Sequence, residues 1–223
     1  MNGYDFTFAG TTLTALGSGA LYWAAQDLLC VSDLHLGKSE RRARLGGPPL
    51  PPYESRDTLS RLESDLRATG AGTVICLGDS FDDRAAAEAL PEAEKLWIAS
   101  LQAGRRWVWI EGNHDPGPVD LGGTHLAEFA RDPLTFRHIA NTREKNEISG
   151  HYHPKVTIPT GGRRITRAAF LIDDHRVVLP AYGTYTGGLR SNDTAVQTLM
   201  RPGALAVLTG SAPCPVPLPR TAT

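Results

Sequence analysis

Short apolar runs punctuated by glycine fill the first third of the chain. Residues 4–8, 11–16 and 21–23 are β-rich and separated by Gly-containing turns, a pattern that predicts β-hairpin structure. Leu28-Leu29-Cys30-Val31-Ser32 is instead a continuous apolar run, as expected of a strand buried on both faces. Val74-Ile75-Cys76-Leu77 and Trp107-Val108-Trp109-Ile110 repeat that pattern. Between these runs the period becomes helical. Leu59, Leu62 and Leu66 mark a helix over 58–68 that stops at Gly70, and 85–101 reads as helix with a new segment starting at Pro91. Residues 46–52 hold four prolines and form a stiff connector. The strand–helix–strand–helix–strand order predicts a mainly parallel sheet covered by helices. After residue 115 the character changes: 134–136, 165–172, 177–179 and 204–208 read as shorter strands with no long helices between them. A second sheet packed on the first is therefore expected.

Composition narrows the class. With 223 residues, 41% hydrophobic and 21% charged, the chain suits one globular domain, taken as 1–210. Pro213, Pro215, Pro217 and Pro219 make 211–223 read as an extended, mobile tail. No apolar run approaches the roughly 20 residues that span a bilayer, and 1–5 lacks a signal-peptide pattern. Cys30, Cys76 and Cys214 are too few and scattered for a disulfide framework. A cytoplasmic, non-membrane protein is expected. The net charge of −1 argues against tight, nonspecific grip on long duplex DNA. Basic residues nevertheless cluster locally. Lys38, Arg41, Arg42 and Arg44 form one group, a candidate phosphate contact; Arg163, Arg164 and Arg167 form another, read as a solvated face.

The chemistry sits in four clusters: Asp33-Leu34-His35, Gly78-Asp79, Gly112-Asn113-His114-Asp115 and Gly150-His151-Tyr152-His153. Asp33, Asp79 and Asn113 each follow a buried strand directly, and ligands of open α/β sheets gather beyond the carboxyl ends of such strands. Asp33 and His35 are two apart, as are His151 and His153; in extended backbone such pairs project to one side. The preceding glycines would allow tight turns. Carboxylates, imidazoles and an amide without thiolates favour Mn²⁺, Fe, Zn²⁺ or Co²⁺ over Ca²⁺. Two divalent cations against Asp33 and Asp79 leave a positive centre that attracts an anionic phosphate and can hold a nucleophile beside it.

In these blocks the chain resembles the calcineurin-like metallophosphoesterases, whose pattern is D-x-H, G-D, G-N-H-[D/E], a lone H and G-H-x-H. The resemblance implies an α/β fold, a four-layer α/β/β/α sandwich of two packed mixed β-sheets. It implies one metal held by Asp33, His35, Asp79 and His153, and a second held by Asp79, Asn113, His138 and His151, with Mn²⁺ the leading candidate for both. His114 resembles the histidine that protonates the leaving oxygen, with Asp115 orienting it and Asn113 stabilising developing charge. His138 follows the strand 134–136 and precedes His151 by 13 residues, as the pattern requires; His125 and His175 are its competitors.

The stretches Asp33-Leu34-His35-Leu36-Gly37-Lys38, Gly150-His151-Tyr152-His153-Pro154 and 180–189 (PAYGTYTGGL) are similar to the bacterial ligase-associated DNA damage response endonucleases. That likeness implies a metal-dependent phosphodiesterase or endonuclease in DNA repair; the chain's length and near-neutral charge predict a preference for single-stranded, frayed or end-proximal DNA. The likeness also implies association with a DNA ligase and a helicase or exonuclease. Tyr185 and Arg190 become candidate substrate contacts beside Lys38, Arg41 and Arg42. Asp82 and Asp83 depart from the pattern, because many nuclease relatives carry a histidine there. The core motifs equally permit a phosphoesterase or pyrophosphatase acting on a small nucleotide or other small diester, because leaving-group choice lies in the surrounding loops.

Overall fold

A computed structural model describes residues 2–115, 117 and 119–219. The chain opens with β1 (Gly3–Phe8), β2 (Thr11–Leu16) and β3 (Leu21–Trp23). Ala9 and Gly10, both at positive φ, make the two-residue turn that joins β1 to β2 with Phe8 opposite Thr11. A short 3₁₀ turn leads to β4 (Leu28–Val31), followed by α1 (Lys38–Arg44), α2 (Glu54–Thr69), β5 (Thr73–Leu77), α3 (Arg84–Glu88), α4 (Glu92–Gln102) and β6 (Arg106–Ile110). Then come β7 (Thr124–Leu126), β8 (Glu128–Arg131), β9 (Leu134–Arg137), β10 (Glu147–Ser149), β11 (Lys155–Thr160), β12 (Arg163–Ile172), β13 (Arg176–Val178), α5 (Thr194–Leu199), β14 (Leu205–Leu208) and β15 (Cys214–Pro217).

Among the described residues these strands form two mixed sheets. The first runs β1-β2-β3-β4-β5-β6-β7, antiparallel through β4 and parallel beyond it. The second runs β15-β14-β12-β13-β10-β9-β8, with β11 folded back on β12. Side chains alternate along the parallel strands. Cys30, Ile75 and Val108 face Phe136, Ile148, Phe170 and Val177 in a core between the sheets. Leu29, Val31, Val74, Cys76, Trp107 and Trp109 face outward onto Leu59, Leu62 and Leu66 of α2 and Ile98 and Leu101 of α4. On the far side, Val196, Leu199 and Met200 of and after α5 cover Ala169, Leu171, Val178 and Ala206. The result is the four-layer α/β/β/α sandwich.

The helix boundaries have local causes. Gly70 ends α2 at φ +68, where an L side chain would be strained, and α4 begins immediately after Pro91. Asp83 caps α3 by accepting from the Ala86 N–H. The expected mobile tail needs correction: Cys214–Pro217 pairs antiparallel with β14 as an edge strand. Proline is tolerated there because an edge strand has one side without a partner to receive its N–H groups. Residues 220–223 of that segment lie outside the described residues. No helix among the described residues is long and apolar enough to cross a membrane.

Candidate metal centre

Four loops at the carboxyl ends of β4, β5, β6 and β10 carry the candidate ligands, with His138 directly after β9. Asp33 and His35 do come together, but not through extended backbone. Asp33, His35, Asp79, His151 and His153 all have positive φ, between 45° and 70°. Non-glycine residues rarely adopt that conformation, and its cost is characteristic of functional sites held by their surroundings. Backbone ties supply the holding here: Asp33 N–H donates to the Gly78 carbonyl, His35 N–H to Asp79 and Gly150 N–H to His138. Gly150 carries no Cβ because one would strike the Ser32 hydroxyl.

Three groups of donors lie close enough to hold a cation among the described residues: Asp33–His35–His153, Asp79–His138–His151 and, sharing His35 with the first, His35–Asp82–His114. In the first, His153 Nε2 lies 2.9 Å from Asp33 Oδ1 and 3.4 Å from His35 Nε2. In the second, His138 Nε2 lies 3.0 Å from Asn113 Oδ1, 3.3 Å from His151 Nδ1 and 3.4 Å from Asp79 Oδ2. The tautomers follow from the outer contacts. His138 Nδ1 is 2.9 Å from the Leu77 carbonyl oxygen and must donate to it, which turns the Nε2 lone pair inward. His35 Nδ1 sits 2.9 Å from Asp82 Oδ1, and its Nε2 faces His153. Ring nitrogens and carboxylate oxygens therefore converge on each cluster.

The carboxylates are held anionic and His138 is drawn toward its charged form. Burial alone would raise the Asp79 carboxyl, but the His138 hydrogen bond and charge and the His114 N–H bring it down to about 2. Asp33 is also lowered, burial being outweighed by His153 and His138. His138 is raised: burial opposes its charge, yet the Asp79 hydrogen bond and the Asp33 charge win. His151 is lowered by burial and by neighbouring His138. Asp33 Oδ1 is buried and lacks a hydrogen-bond partner. A buried anionic oxygen without a partner among inward-facing imidazole lone pairs is costly unless a cation fills the gap. With no thiolate among the donors, the clusters fit first-row divalent cations.

The family model for calcineurin-like phosphoesterases matches residues 27–203, a span that contains every one of these donors. The chain belongs to the calcineurin-like phosphoesterase family. It is a metal-dependent phosphoesterase, a hydrolase. Among solved structures, this phosphoesterase is similar to the crystal structure of Pseudomonas putida nuclease MPE, at 27% sequence identity and a TM-score of 0.74. The match covers 96% of this chain and 100% of that one. No curated protein sequence matches it significantly.

The remaining expectations fare differently in the phosphoesterase structure. Asp115 does not orient His114. Its buried carboxylate instead accepts four backbone N–H groups: Asp79 at 2.9 Å, Ser80 at 2.7 Å, Phe81 at 3.2 Å and Gly112 at 3.1 Å. It stitches two ligand loops together. His114 is oriented by residue 82, its Nδ1 donating to the Asp82 carbonyl oxygen at 2.8 Å. Asp82 was legible only as a departure from the family pattern, yet it is the hub beside the centre. Its carboxylate meets His35, Lys38 Nζ at 3.0 Å and Arg41 at 3.1 Å, and those cations hold it far below the usual carboxylate range despite burial.

The basic cluster is therefore largely paired within the protein. Arg41 and Arg44 both reach Asp83, while Arg42 donates to the Pro48 carbonyl and is exposed. Lys38, Arg41 and Arg42 line a cavity of about 310 Å³ beside Asp82. Tyr185 is exposed against Tyr53; Arg190 is exposed, its backbone bridged to Lys155. Of the competing histidines, His125 stacks on Trp109 and His175 sits in a turn bonded to Asp173, both apart from the clusters. His138→Ala is expected to lower the divalent metal bound per chain, measured by elemental analysis of the purified protein. Unchanged metal content would exclude His138 as a ligand.

Proposed function

We propose that this phosphoesterase is a nuclease that cleaves DNA phosphodiesters with two divalent cations, Mn²⁺ foremost, in bacterial DNA repair. The observation that carries the reading is the pair of donor clusters, Asp33–His35–His153 and Asp79–His138–His151, lying beside His114, whose ring is held by the Asp82 carbonyl. Likeness over 96% of the chain to a nuclease of Pseudomonas putida supports nucleic acid as the substrate class.

In this reading Asp33, His35, Asp79 and His153 hold one cation, and Asp79, Asn113, His138 and His151 the other. When bound, such a pair polarises a phosphoryl oxygen and offsets charge on the attacking and leaving oxygens. His114 supplies the proton. Its Nδ1–H is committed to the Asp82 carbonyl, so the protonated ring gives up its Nε2 proton to the departing oxygen. Arg42, exposed at the mouth of the basic cavity, is the cation of its cluster most available to a phosphate, because Lys38 and Arg41 are engaged by Asp82. With a net charge of −1 for the chain, single-stranded, frayed or end-proximal DNA is the preferred form.

The test is cleavage of labelled single-stranded, nicked and duplex DNA with Mn²⁺, beside hydrolysis of bis-p-nitrophenyl phosphate. Chelation should abolish both activities, and added Mn²⁺ should restore them. His114→Ala should slow DNA cleavage by about 100-fold or more, the usual range for a lost general acid. It should slow the nitrophenyl ester less, because p-nitrophenolate leaves without a proton. Hydrolysis of the small diester with all DNA intact would sink the nuclease reading and point to small nucleotides instead.

A further inference from the structure

Residues 183–188 form an arch whose two feet rest on the metal centre. At one foot the Gly183 N–H donates to the Asp33 carbonyl at 3.0 Å, and a Cβ at 183 would strike the Leu34 carbonyl. At the other, a Cβ at Gly188 would strike the His153 carbonyl, and Leu189 N–H donates to Tyr152. The crest carries Tyr185, 38% exposed and held at φ +63. A bulky residue at positive φ on an exposed crest is strained, and the bonds that fix Thr184 to Thr58 and Thr186 to Lys155 on either side hold it there. Its ring lies 5.9 Å from that of Tyr53, 54% exposed, at an interplanar angle of 56°. The two rings are tilted rather than stacked, so their faces do not cover one another.

Tyr185 also lines a groove of about 740 Å³. The groove lies on the same edge of the first sheet as the ligand loops. Leu21 pairs with Cys30, so the turn at 17–19, which lines the groove, sits level with the end of β4. Its charged lining is Arg61, Lys155 and Arg167 against Asp57, a net excess of two positive charges. Lys155 is two residues beyond His153, and its Nζ donates to the Thr186 carbonyl, tying the groove wall to the arch.

A basic groove next to exposed aromatic faces is how single-stranded nucleic acid is gripped without sequence readout. Duplex bases stack on one another and offer no free face. We propose that this groove binds the unpaired flank of the scissile strand, with a base stacked on Tyr185 against Tyr53 and its phosphates along Lys155 and Arg167. The proposal rests on the nuclease reading above and adds a second strand-binding tract to it, beside the arch.

The readout is the ratio of kcat/KM on a single-stranded oligonucleotide to kcat/KM on bis-p-nitrophenyl phosphate, measured with Mn²⁺. Tyr185→Ala and Tyr53→Ala should each lower that ratio about tenfold, within the range for one lost stacking contact; Tyr185→Phe should hold it. Arg167→Glu, at an exposed position, should lower it and flatten the salt dependence of DNA cleavage. Should the tyrosine variants fail to fold, wild-type protein acting on an oligonucleotide with abasic flanks gives the same comparison, and the ratio should fall. If wild-type protein cuts DNA while the variants and abasic flanks leave the ratio unmoved, the groove proposal is overturned and the nuclease reading stands. Wild-type protein that hydrolyses the diester but no DNA overturns both.

Discussion

Replacing Asp79 by Asn is expected to lower phosphodiester hydrolysis by about three orders of magnitude while leaving the fold in place. Asp79 sits with His138 and His151 and, in the proposed reading, is the ligand shared by both cations. One carboxylate oxygen accepts the His114 N–H at 2.8 Å and the other lies 3.4 Å from His138 Nε2. Asn keeps the shape and one acceptor, so the His114 backbone stays anchored. What goes is the negative charge that offsets two divalent cations. Losing several kcal/mol of transition-state charge stabilisation corresponds to roughly a thousandfold in rate. Elemental analysis should show depleted metal, and thermal unfolding of the chelated proteins should differ little between variant and wild type. Activity within tenfold of wild type, with full metal content, would remove Asp79 from the centre.

The second large effect is on stability. Asp115→Ala deletes the acceptor of four buried N–H groups from Asp79, Ser80, Phe81 and Gly112. Each buried donor left without a partner costs about 1–3 kcal/mol, and water entering the vacated space recovers part of it. A net loss of about 4 kcal/mol is expected, which for a domain of this size lowers Tm by about 10 °C. Activity should fall as well, because the same four bonds set the Asp79 loop against the Asn113–His114 loop. Calorimetry of the chelated variant separates the two contributions, since metal then stabilises neither protein. A Tm shift below about 2 °C would show that the loops are held by something other than Asp115.

Much of the architecture was legible along the chain because its causes are local. Continuous apolar runs marked β4, β5 and β6; the spacing of Leu59, Leu62 and Leu66 marked α2; Pro91 marked the start of α4. Strands such as β7, β8 and β10 escaped notice because three or four residues with mixed polarity carry no periodic signal. β15 was read as a tail because its prolines disfavour a central strand, and only its place at a sheet edge makes them acceptable.

The same division runs through the site. Asp33, His35, Asp79, Asn113, His151 and His153 were visible because short motifs at strand ends bring donors to one edge by chain geometry alone. The sequence by itself determined the type of donors, their order and the edge where they meet. It could not determine the backbone that aims them, since positive φ at five ligand candidates is enforced by hydrogen bonds between loops far apart in the chain. Nor could it show that Asp115 binds backbone rather than His114, that Asp82 organises His35, His114, Lys38 and Arg41, or that Tyr53 meets Tyr185. Those are pairings of side chains and loops separated by tens of residues. Each depends on distances that exist only once the two sheets have packed, because a polar group chooses its partner by proximity and burial, and neither is written in local spacing.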